Sequence, residues 1–569
     1  MGLKLASTFA ITALFALVYA IVFVIGIMFL PEGWVGLVIM ILLTLGIVFL
    51  QYAISPLIIG WIYRINWIEF EQYQRQFPHL AETVMRVVQE KGIKMPRLGI
   101  IADLNPNAFT FGWTKNSARV VITEGILKYL DKKEQKAVVA HEMGHVIHND
   151  FILMTVVFAI PLVLLTIARW AYWTARGVGL SSDSDNAAYV TMALYAIGVL
   201  SYIAYWIGFL ISLFISRIRE YYADEYSAEV IENPNALSTG LVKIAYGLLE
   251  QRSVTDNRKS QVYSLQGLGI MDTKSAPDFA YTSMENSGNY SDDAIQAAAA
   301  WDLYNPWAKY YEIFSTHPLP AKRINRLNDQ CELYGKRPEI EFTKAKQIKE
   351  EQAGKSMLPE FATDLTIKLS PILVLALGGL FTILWIFNLA GFLPEGDLIF
   401  SRLNIADLLL YWAVIFFIVG AAVIMRTQFM FKSDFERRTV RQLVSNVKVS
   451  PIRCEAAVLE GQIVGRGMPG YYFGEDLYFQ DGSGLMYVDY RSGIPFGNFF
   501  FAIARVKKLI GQQVRIIGWY RRGPTPFIQV HRIEVPAMGK TYRNYYKYMT
   551  YLWAVLAFIV GAVLLYFWI

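Results

Sequence analysis

Long apolar stretches constrain the fold of this chain more than any other feature. Each approaches the roughly 20 residues that cross a bilayer as a helix. Seven occur, at 8–30, 35–62, 151–174, 188–215, 368–392, 404–425 and 549–568. Charged residues make up 18% of the chain, below the ~25% of a typical soluble domain. We therefore predict an α-helical polytopic membrane protein with about seven spans, and exclude a soluble enzyme, a disordered chain and a disulfide scaffold.

Basic residues beside these stretches predict how the chain crosses the membrane. Arg176 and Arg402 are the only basic residues in the loops 31–34, 175–187 and 393–403, whereas the opposite ends of the spans carry many Lys and Arg residues. The positive-inside rule then places the N-terminus and the long polar segments in the cytoplasm and the C-terminus outside. The predicted location is an inner (cytoplasmic) membrane.

A metal-binding motif stands at the end of the first polar segment. Residues 134–150 have helical periodicity and contain His141-Glu142-x-x-His145. Residues four apart share one helix face, so both imidazoles can reach one Zn²⁺ ion, and Glu142 beside them can act as a general base. The alternative is a solvated helix face that holds two histidines without a metal.

A catalytic zinc needs a third protein ligand and an open position for water. His148 is close to the motif, but the longer three-histidine pattern fails because Phe151 occupies the required position. Glu220 and Asp224 are better candidates, since they are again four residues apart after the fourth span. One carboxylate can bind zinc while the other accepts a hydrogen bond from a ligand histidine. Taken alone, this pair could equally form an exposed acidic face.

A third polar cluster follows at 315–327. His317 precedes a proline, which holds it outside helical geometry, and Arg323 lies in the helix that follows. Such donors can stabilise the oxyanion of a tetrahedral intermediate. The alternative is an ordinary helix N-terminus with a surface arginine.

Taken together, these motifs resemble the HtpX-type integral-membrane zinc metallopeptidases, with CAAX prenyl proteases as more distant relatives. The resemblance covers about 65–330 and includes the segments 107–112 and 120–127 before the motif helix. It implies hydrolysis of peptide bonds with one catalytic Zn²⁺ ion, a polypeptide substrate and a role in membrane-protein quality control.

The resemblance also implies a role for each matching residue. The zinc ligands are His141, His145 and Glu220, and Glu142 is the general base. A second group acts around the metal: Asp224 orients a ligand, and His317 and Arg323 lie near the transition state. A substrate would add as a strand along the edge strand that carries Asn107, Ala108 and Phe109.

The expected domain organisation alternates membrane and polar segments. Two helices at 1–63 precede the first part of an α+β metallopeptidase domain at 64–150. A hairpin at 151–215 leads to its second part at 216–366. The remaining segments are two helices at 367–425, a basic β domain at 426–547 and a final helix at 548–569.

The basic domain carries 19 Lys and Arg residues against 9 Asp and Glu. Alternating runs predict five strands, and bends at glycines resemble a small OB-fold barrel. Anionic lipid is favoured over nucleic acid as its partner, despite Arg521 and Arg522 beside aromatic residues, and self-assembly or substrate presentation are the alternatives to lipid. The sequence 465–470 matches a dinucleotide fingerprint without the helix that should follow it.

Two alternatives to quality control stay open. One is a processing protease with a dedicated membrane substrate, and the other is a non-catalytic scaffold with a structural zinc. Glu142 favours the enzyme, because a structural site needs no carboxylate beside a ligand. The polar stretch 252–310 is expected to form a long loop with one or two helices, and the hypothesis is that it covers the cleft.

Overall fold

The computed structural model describes residues 34–181, 185–253, 270, 292–354, 356–389, 405–466, 474–523 and 525–569. The predicted span at 8–30, the motif at 465–470 except its first two residues, and residues 254–269 and 271–291 of the expected loop at 252–310 lie outside this part of the chain. The end of that stretch contains the helix Asp292–Tyr304 and the start of Pro306–Glu312. The chain divides into two compact units. The first comprises Met1–Ala280 with Lys309–Phe342, and the second Tyr281–Ala308 with Thr343–Ile569.

Six helices in the described residues are long and apolar enough to cross a membrane. They run over Val35–Ile62, Asp150–Val178, Ala187–Ile231, Leu358–Ile386, Ala406–Met430 and Tyr546–Trp568. Each overlaps one of the six predicted spans that follow the first. The chain is accordingly a polytopic helical membrane protein with a β domain near its C-terminus.

Helices and one small sheet form the first unit. Its helices are Trp34–Ile62, Phe70–Gln76, Pro78–Lys91, Glu124–Tyr129, Lys132–Ile147, Asp150–Ser181, Asp185–Ile231, Pro234–Ser253 and Pro320–Cys331. The strands are β1 (Asn66–Ile68), β2 (Arg97–Ile101), β3 (Ala108–Phe111) and β4 (Arg119–Thr123), in the order β1-β2-β4-β3. β2 and β4 are parallel, and the other two pairs are antiparallel. Because β3 comes last in the strand order, it is an edge strand.

The helix that carries the metal-binding motif, Lys132–Ile147, has clear signals at both ends. Asp131 accepts hydrogen bonds from the backbone N–H groups of Lys133 and Glu134, and the Glu134 side chain accepts from Asp131 N–H, which forms a capping box. At the other end Asn149 adopts a left-handed conformation with φ of 57°, which asparagine tolerates better than most residues. The predicted helix at 134–150 therefore ends earlier, and a new helix begins at Asp150.

The next long helix, Asp185–Ile231, is continuous over 47 residues. The expected boundary between a membrane span and a polar domain at 215 falls inside it. Residues 212–231 contain neither proline nor glycine, so nothing in the sequence interrupts the helix where its composition changes. The same helix therefore carries both the apolar span and the polar residues Glu220 and Asp224.

The second unit combines helices with a β barrel. Its helices are Asp292–Tyr304, Thr343–Ala353, Leu358–Leu389, Ile405–Met430, Val440–Val444, Gly497–Phe501, Lys507–Leu509 and Tyr546–Trp568, and Pro306–Glu312 lies across the boundary between the units. Its strands are β5 (Glu436–Arg437), β6 (Glu455–Arg466), β7 (Leu477–Asp481), β8 (Gly484–Asp489), β9 (Gln513–Arg522), β10 (Pro526–Val535) and β11 (Lys540–Arg543).

Five of these strands pair in a closed circuit. The order is β6-β7-β8-β10-β9 and back to β6, with β8 and β10 parallel and the other pairs antiparallel. These are the five strands that the alternating pattern predicts. Their inward side chains form one core that includes Leu459, Phe479, Val488, Ile516 and Ile528. Alternation along each strand thus supplies the barrel with an apolar interior.

Two buried arginines of β9 donate hydrogen bonds to backbone carbonyls elsewhere in the second unit. Arg521 is 2% exposed and Arg522 is 3% exposed. Arg521 donates to the carbonyls of Pro451 and Met430, and Arg522 donates to that of Val444. Because both guanidinium groups are buried and bind backbone carbonyls, they are poorly placed to bind a nucleic acid.

Candidate metal centre

Three side chains from two helices converge on one point. His141 and His145 come from the motif helix, and Glu220 comes from Asp185–Ile231. One ligand atom from each lies within 4.8 Å of the others. The Nε2 atoms of both histidines lie 3.7 Å from a Glu220 carboxylate oxygen. Helical spacing places the imidazoles on one face, and packing of the second helix brings the carboxylate opposite them.

Each histidine is oriented by a further carboxylate. His141 Nδ1 lies 3.0 Å from an oxygen of Asp224, and His145 Nδ1 is hydrogen-bonded to Asp150 at 2.7 Å. A proton held on Nδ1 leaves the lone pair of Nε2 free, and in both rings Nε2 faces Glu220. Carboxylates in this position fix the tautomer and the ring direction of metal-binding histidines.

Asp150 is a residue that the sequence analysis missed. It is the first residue of the helix that follows the motif helix, and it also forms an ion pair with Arg219. The only signal was its position five residues after His145. That spacing does not share a helix face with His145, so the contact depends on the break at Asn149.

Arg323 contacts Asp224, the carboxylate that lies beside His141. Its Nε and Nη2 donate to the two oxygens of Asp224 at 2.9 and 2.6 Å, and it is 1% exposed. The surface-arginine alternative is therefore wrong. Burial alone would lower the pKa of Arg323, but the carboxylates of Asp224 and Glu220 outweigh it and raise that pKa.

His317 lies beside the three converging side chains. Its Nδ1 is 3.3 Å from an oxygen of Glu220, and the residue is 6% exposed. The structure thus brings the third polar cluster of the sequence to the same place as the first two. The Nδ1 of His317 therefore faces the same carboxylate group that the Nε2 atoms of His141 and His145 face.

Glu142 points to the edge strand rather than into the cluster of three. Its carboxylate accepts a hydrogen bond of 2.7 Å from the hydroxyl of Thr110 on β3. Thr110 is a second residue that sequence reasoning missed, because its role depends on the packing of β3 against the motif helix. The contact ties the carboxylate of Glu142 to the edge strand of the sheet.

The three predicted substrate-binding residues lie at the start of β3. Asn107 directs its backbone carbonyl to Thr123 of β4 and its side-chain oxygen to the N–H of Ala108. Phe109 is fully buried and packs against Tyr63. Its side chain is therefore closed to a ligand, whereas the side-chain oxygen of Asn107 and the carbonyl of Ala108 lie at the start of the edge strand.

The donor set fits a catalytic zinc ion. Two imidazole nitrogens and one carboxylate, with room for a fourth ligand, are typical of zinc hydrolases. Within the part of the chain that the structure describes, the buried Nε2 of His141 and one oxygen of Glu220 make no hydrogen bond. Buried polar atoms without a partner are costly, and a cation would satisfy both.

Protonation competes with a metal at His145. Burial lowers its pKa, but the hydrogen bond to Asp150 and the charges of Glu220 and Glu142 dominate and raise the pKa to about 9. His148, the alternative third ligand, lies apart from the cluster. Its ring packs against Tyr222 and Tyr226, and burial lowers its pKa.

Comparisons with known proteins agree with this geometry. The model of peptidase family M48 matches residues 74–330. The chain is 38% identical over 266 residues to a "Protease HtpX homolog" of Methanothermobacter thermautotrophicus, covering 47% of this chain and 93% of the relative. It is 30% identical over 308 residues to one of Pyrococcus furiosus, covering 53% and 89%.

Among solved structures, the chain is similar to that described as "Crystal Structure of S. mikatae Ste24p". The two share 17% sequence identity, with a TM-score of 0.34, over 57% of this chain and 67% of the other.

Proposed function

The chain belongs to peptidase family M48 and is a membrane zinc metalloprotease, and from this premise we propose which of its residues perform the reaction. His141, His145 and Glu220 hold one Zn²⁺ ion, and Glu142 is the general base. The convergence of the three ligand atoms within 4.8 Å carries the proposal. When bound, zinc supplies a Lewis acid that polarises the peptide carbonyl and activates water.

Glu142 then moves the proton. It accepts a proton from water during attack on the carbonyl and returns it to the leaving amine. Thr110 holds one of its oxygens, at 2.7 Å, and so fixes the direction of the other. Because Glu142 is not a metal ligand, its replacement by glutamine should abolish turnover and leave zinc bound.

The other polar residues have positioning and stabilising roles. His317 donates an N–H toward the developing oxyanion. Asp224 orients His141, and Arg323 holds Asp224 through two hydrogen bonds. Asp150 does the same for His145, with Arg219 as its counterion. Each ligand histidine is thereby held with its Nε2 directed at Glu220.

The substrate is a polypeptide in extended form, added to the open edge of β3. We favour unfolded or membrane-inserted proteins, and hence quality control at the cytoplasmic face of an inner membrane. The support is the six apolar helices, together with the basic residues that flank them. A protease dedicated to one membrane substrate would use the same site.

The C-terminal barrel has, in this proposal, an OB-like fold that meets anionic lipid. Strand order and the parallel pair of β8 and β10 support the fold. Phe496 and Phe500 are 78% and 64% exposed, and Ser492 nearby accepts a hydrogen bond from Tyr545 N–H, beside the start of an apolar helix. A spin label at F500C should therefore meet lipid-soluble oxygen more readily than an aqueous quencher.

The decisive test compares wild type with Glu142→Gln, both zinc-loaded in detergent. Zinc is counted per chain, and cleavage is followed on casein. We expect about one zinc in each protein and cleavage by wild type alone. Glu332→Gln, on an exposed position, is the matched control and should cleave like wild type. Equal cleavage by Glu142→Gln would refute the role of Glu142, and loss of zinc from it would make Glu142 a ligand.

A further inference from the structure

One residue of the chain itself lies against the open edge of β3. The backbone N–H of Ile270 donates to the carbonyl of Ala108 at 3.1 Å and to the side-chain oxygen of Asn107 at 3.3 Å. Its own carbonyl accepts a hydrogen bond from Nη1 of Arg323. Ile270 is 2% exposed. Both backbone polar groups of this residue are therefore satisfied, the N–H by residues at the start of β3 and the carbonyl by Arg323.

The direction of these bonds identifies the edge. The Asn107 carbonyl accepts from Thr123 N–H, so it faces β4. Successive carbonyls of a strand point to opposite sides, and that of Ala108 consequently faces away from β4. Ile270 is bound there, on the edge where an added strand would lie. Thr110, which holds Glu142, is only two residues further along β3.

We infer that Ile270 occupies the place of one substrate residue and competes with substrate for the site. This inference rests on the proposed function, because it takes β3 as the substrate-binding strand. Ala108 and Asn107 would bind the substrate N–H, and Arg323 would bind the carbonyl of the same residue. The buried isoleucine side chain assigns an aliphatic residue to this position of the substrate.

Arg323 gains a second role from this arrangement. Two of its nitrogens hold Asp224, and the third, Nη1, lies 3.6 Å from Glu220 as well as on the carbonyl of Ile270. A planar guanidinium can serve all of these partners at once. Substrate recognition and the orientation of His141 thus depend on one side chain.

Competition of this kind has a measurable size. Affinity for a peptide falls in proportion to the fraction of the protein in which the site is free. Replacing Ile270 with aspartate puts a charge in a buried position, which strongly disfavours the docked state. We expect peptide affinity to rise about tenfold or more in Ile270→Asp, and by less in the conservative Ile270→Val.

The experiment measures binding rather than cleavage. Full-length zinc-loaded protein carrying Glu142→Gln is titrated into a short, capped, fluorescein-labelled peptide with one central isoleucine, and anisotropy is followed with and without Ile270→Asp. Two control peptides replace that isoleucine, one with proline, which lacks the N–H for Ala108, and one with aspartate. Zinc per chain verifies that each variant is folded around the site.

Tighter binding of the isoleucine peptide by Ile270→Asp, with the proline and aspartate peptides still bound more weakly than the isoleucine peptide, is the expected result. Unchanged or weaker binding of the isoleucine peptide overturns the inference, and so does equal affinity of Ile270→Asp for all three peptides, which would reflect exposed apolar surface. Cleavage by the protein with native Glu142 is assayed separately. Its absence would refute the proposed peptidase site, whereas the binding result would still decide whether Ile270 blocks β3.

Discussion

Removing the charge of Asp150 should weaken zinc binding while leaving every metal ligand in place. In Asp150→Asn, the hydrogen bond of 2.7 Å to His145 Nδ1 loses its charge assistance. Both partners are largely enclosed, with side chains 17% and 9% exposed. A hydrogen bond to a charged group contributes about 1.5–3 kcal/mol net, and loss of such a partner typically costs about 10–100-fold in metal affinity.

Asparagine keeps the shape and one acceptor oxygen, so Asp150→Asn should fall near the lower end of this range, and Asp150→Ala near the upper end. The assay is competition for zinc between the full-length protein in detergent and a fluorescent chelator. It is run at roughly pH 9.5, above the pKa of about 9 of His145, so that protons compete little with the metal.

The matched control is Asp329→Asn, at an exposed position of Pro320–Cys331. It should bind zinc like wild type. An Asp150→Asn protein whose zinc affinity stays within about twofold of wild type would refute the reasoning, because the expected loss is about tenfold or more. An equal loss in Asp329→Asn would show that the assay reports general destabilisation.

Three further predictions address other parts of the chain. His317→Ala should lower the cleavage rate about 100-fold and retain zinc, measured by initial rates and metal content; an unchanged rate would exclude a role in the transition state. Gly461→Ala should destabilise the barrel by about 1–3 kcal/mol, because a Cβ there would lie 2.2 Å from the carbonyl oxygen of Gln480; urea unfolding followed by hydrogen exchange tests this. Burial, with the charges of Asp489 and Glu475, raises the pKa of Asp476 to about 7. Barrel stability should therefore fall as pH rises from about 4 to about 7, where the folded state binds more protons than the unfolded state. Asp476→Asn should reduce this dependence to the part due to Asp489, whose pKa burial also raises, and an unchanged dependence would refute the role of Asp476.

Local periodicity explains why the sequence could single out the proposed ligands. His141 and His145, like Glu220 and Asp224, are paired by the four-residue repeat of a helix, which needs no knowledge of the fold. The roles of Thr110 and Ile270 could not be predicted, because each depends on which elements pack together in space. Burial of Arg323 was equally invisible, since its helix has the pattern of a surface helix until Asp224 is placed beside it.

The same distinction applies to the barrel. Alternation predicts the five strands because each has one buried face. It does not predict the parallel pairing of β8 with β10, which joins strands separated in the sequence by β9. Arg521 and Arg522 looked like a nucleic-acid-binding pair for a similar reason: the carbonyl groups that they bind belong to Met430, Val444 and other residues distant in sequence.

The uninterrupted helix Asp185–Ile231 sets the distance between the apolar span and Glu220. Its apolar part extends to about residue 215, and Glu220 follows five residues later, a rise of about 7–8 Å at 1.5 Å per residue. Lipid headgroups occupy about 5–8 Å on each side of the hydrocarbon. If the proposed function holds, this helix places Glu220 at the level of the headgroups. The proposed site would then reach peptide bonds that have just left the bilayer, and a folded domain held further from the surface would stay out of its range until it unfolds.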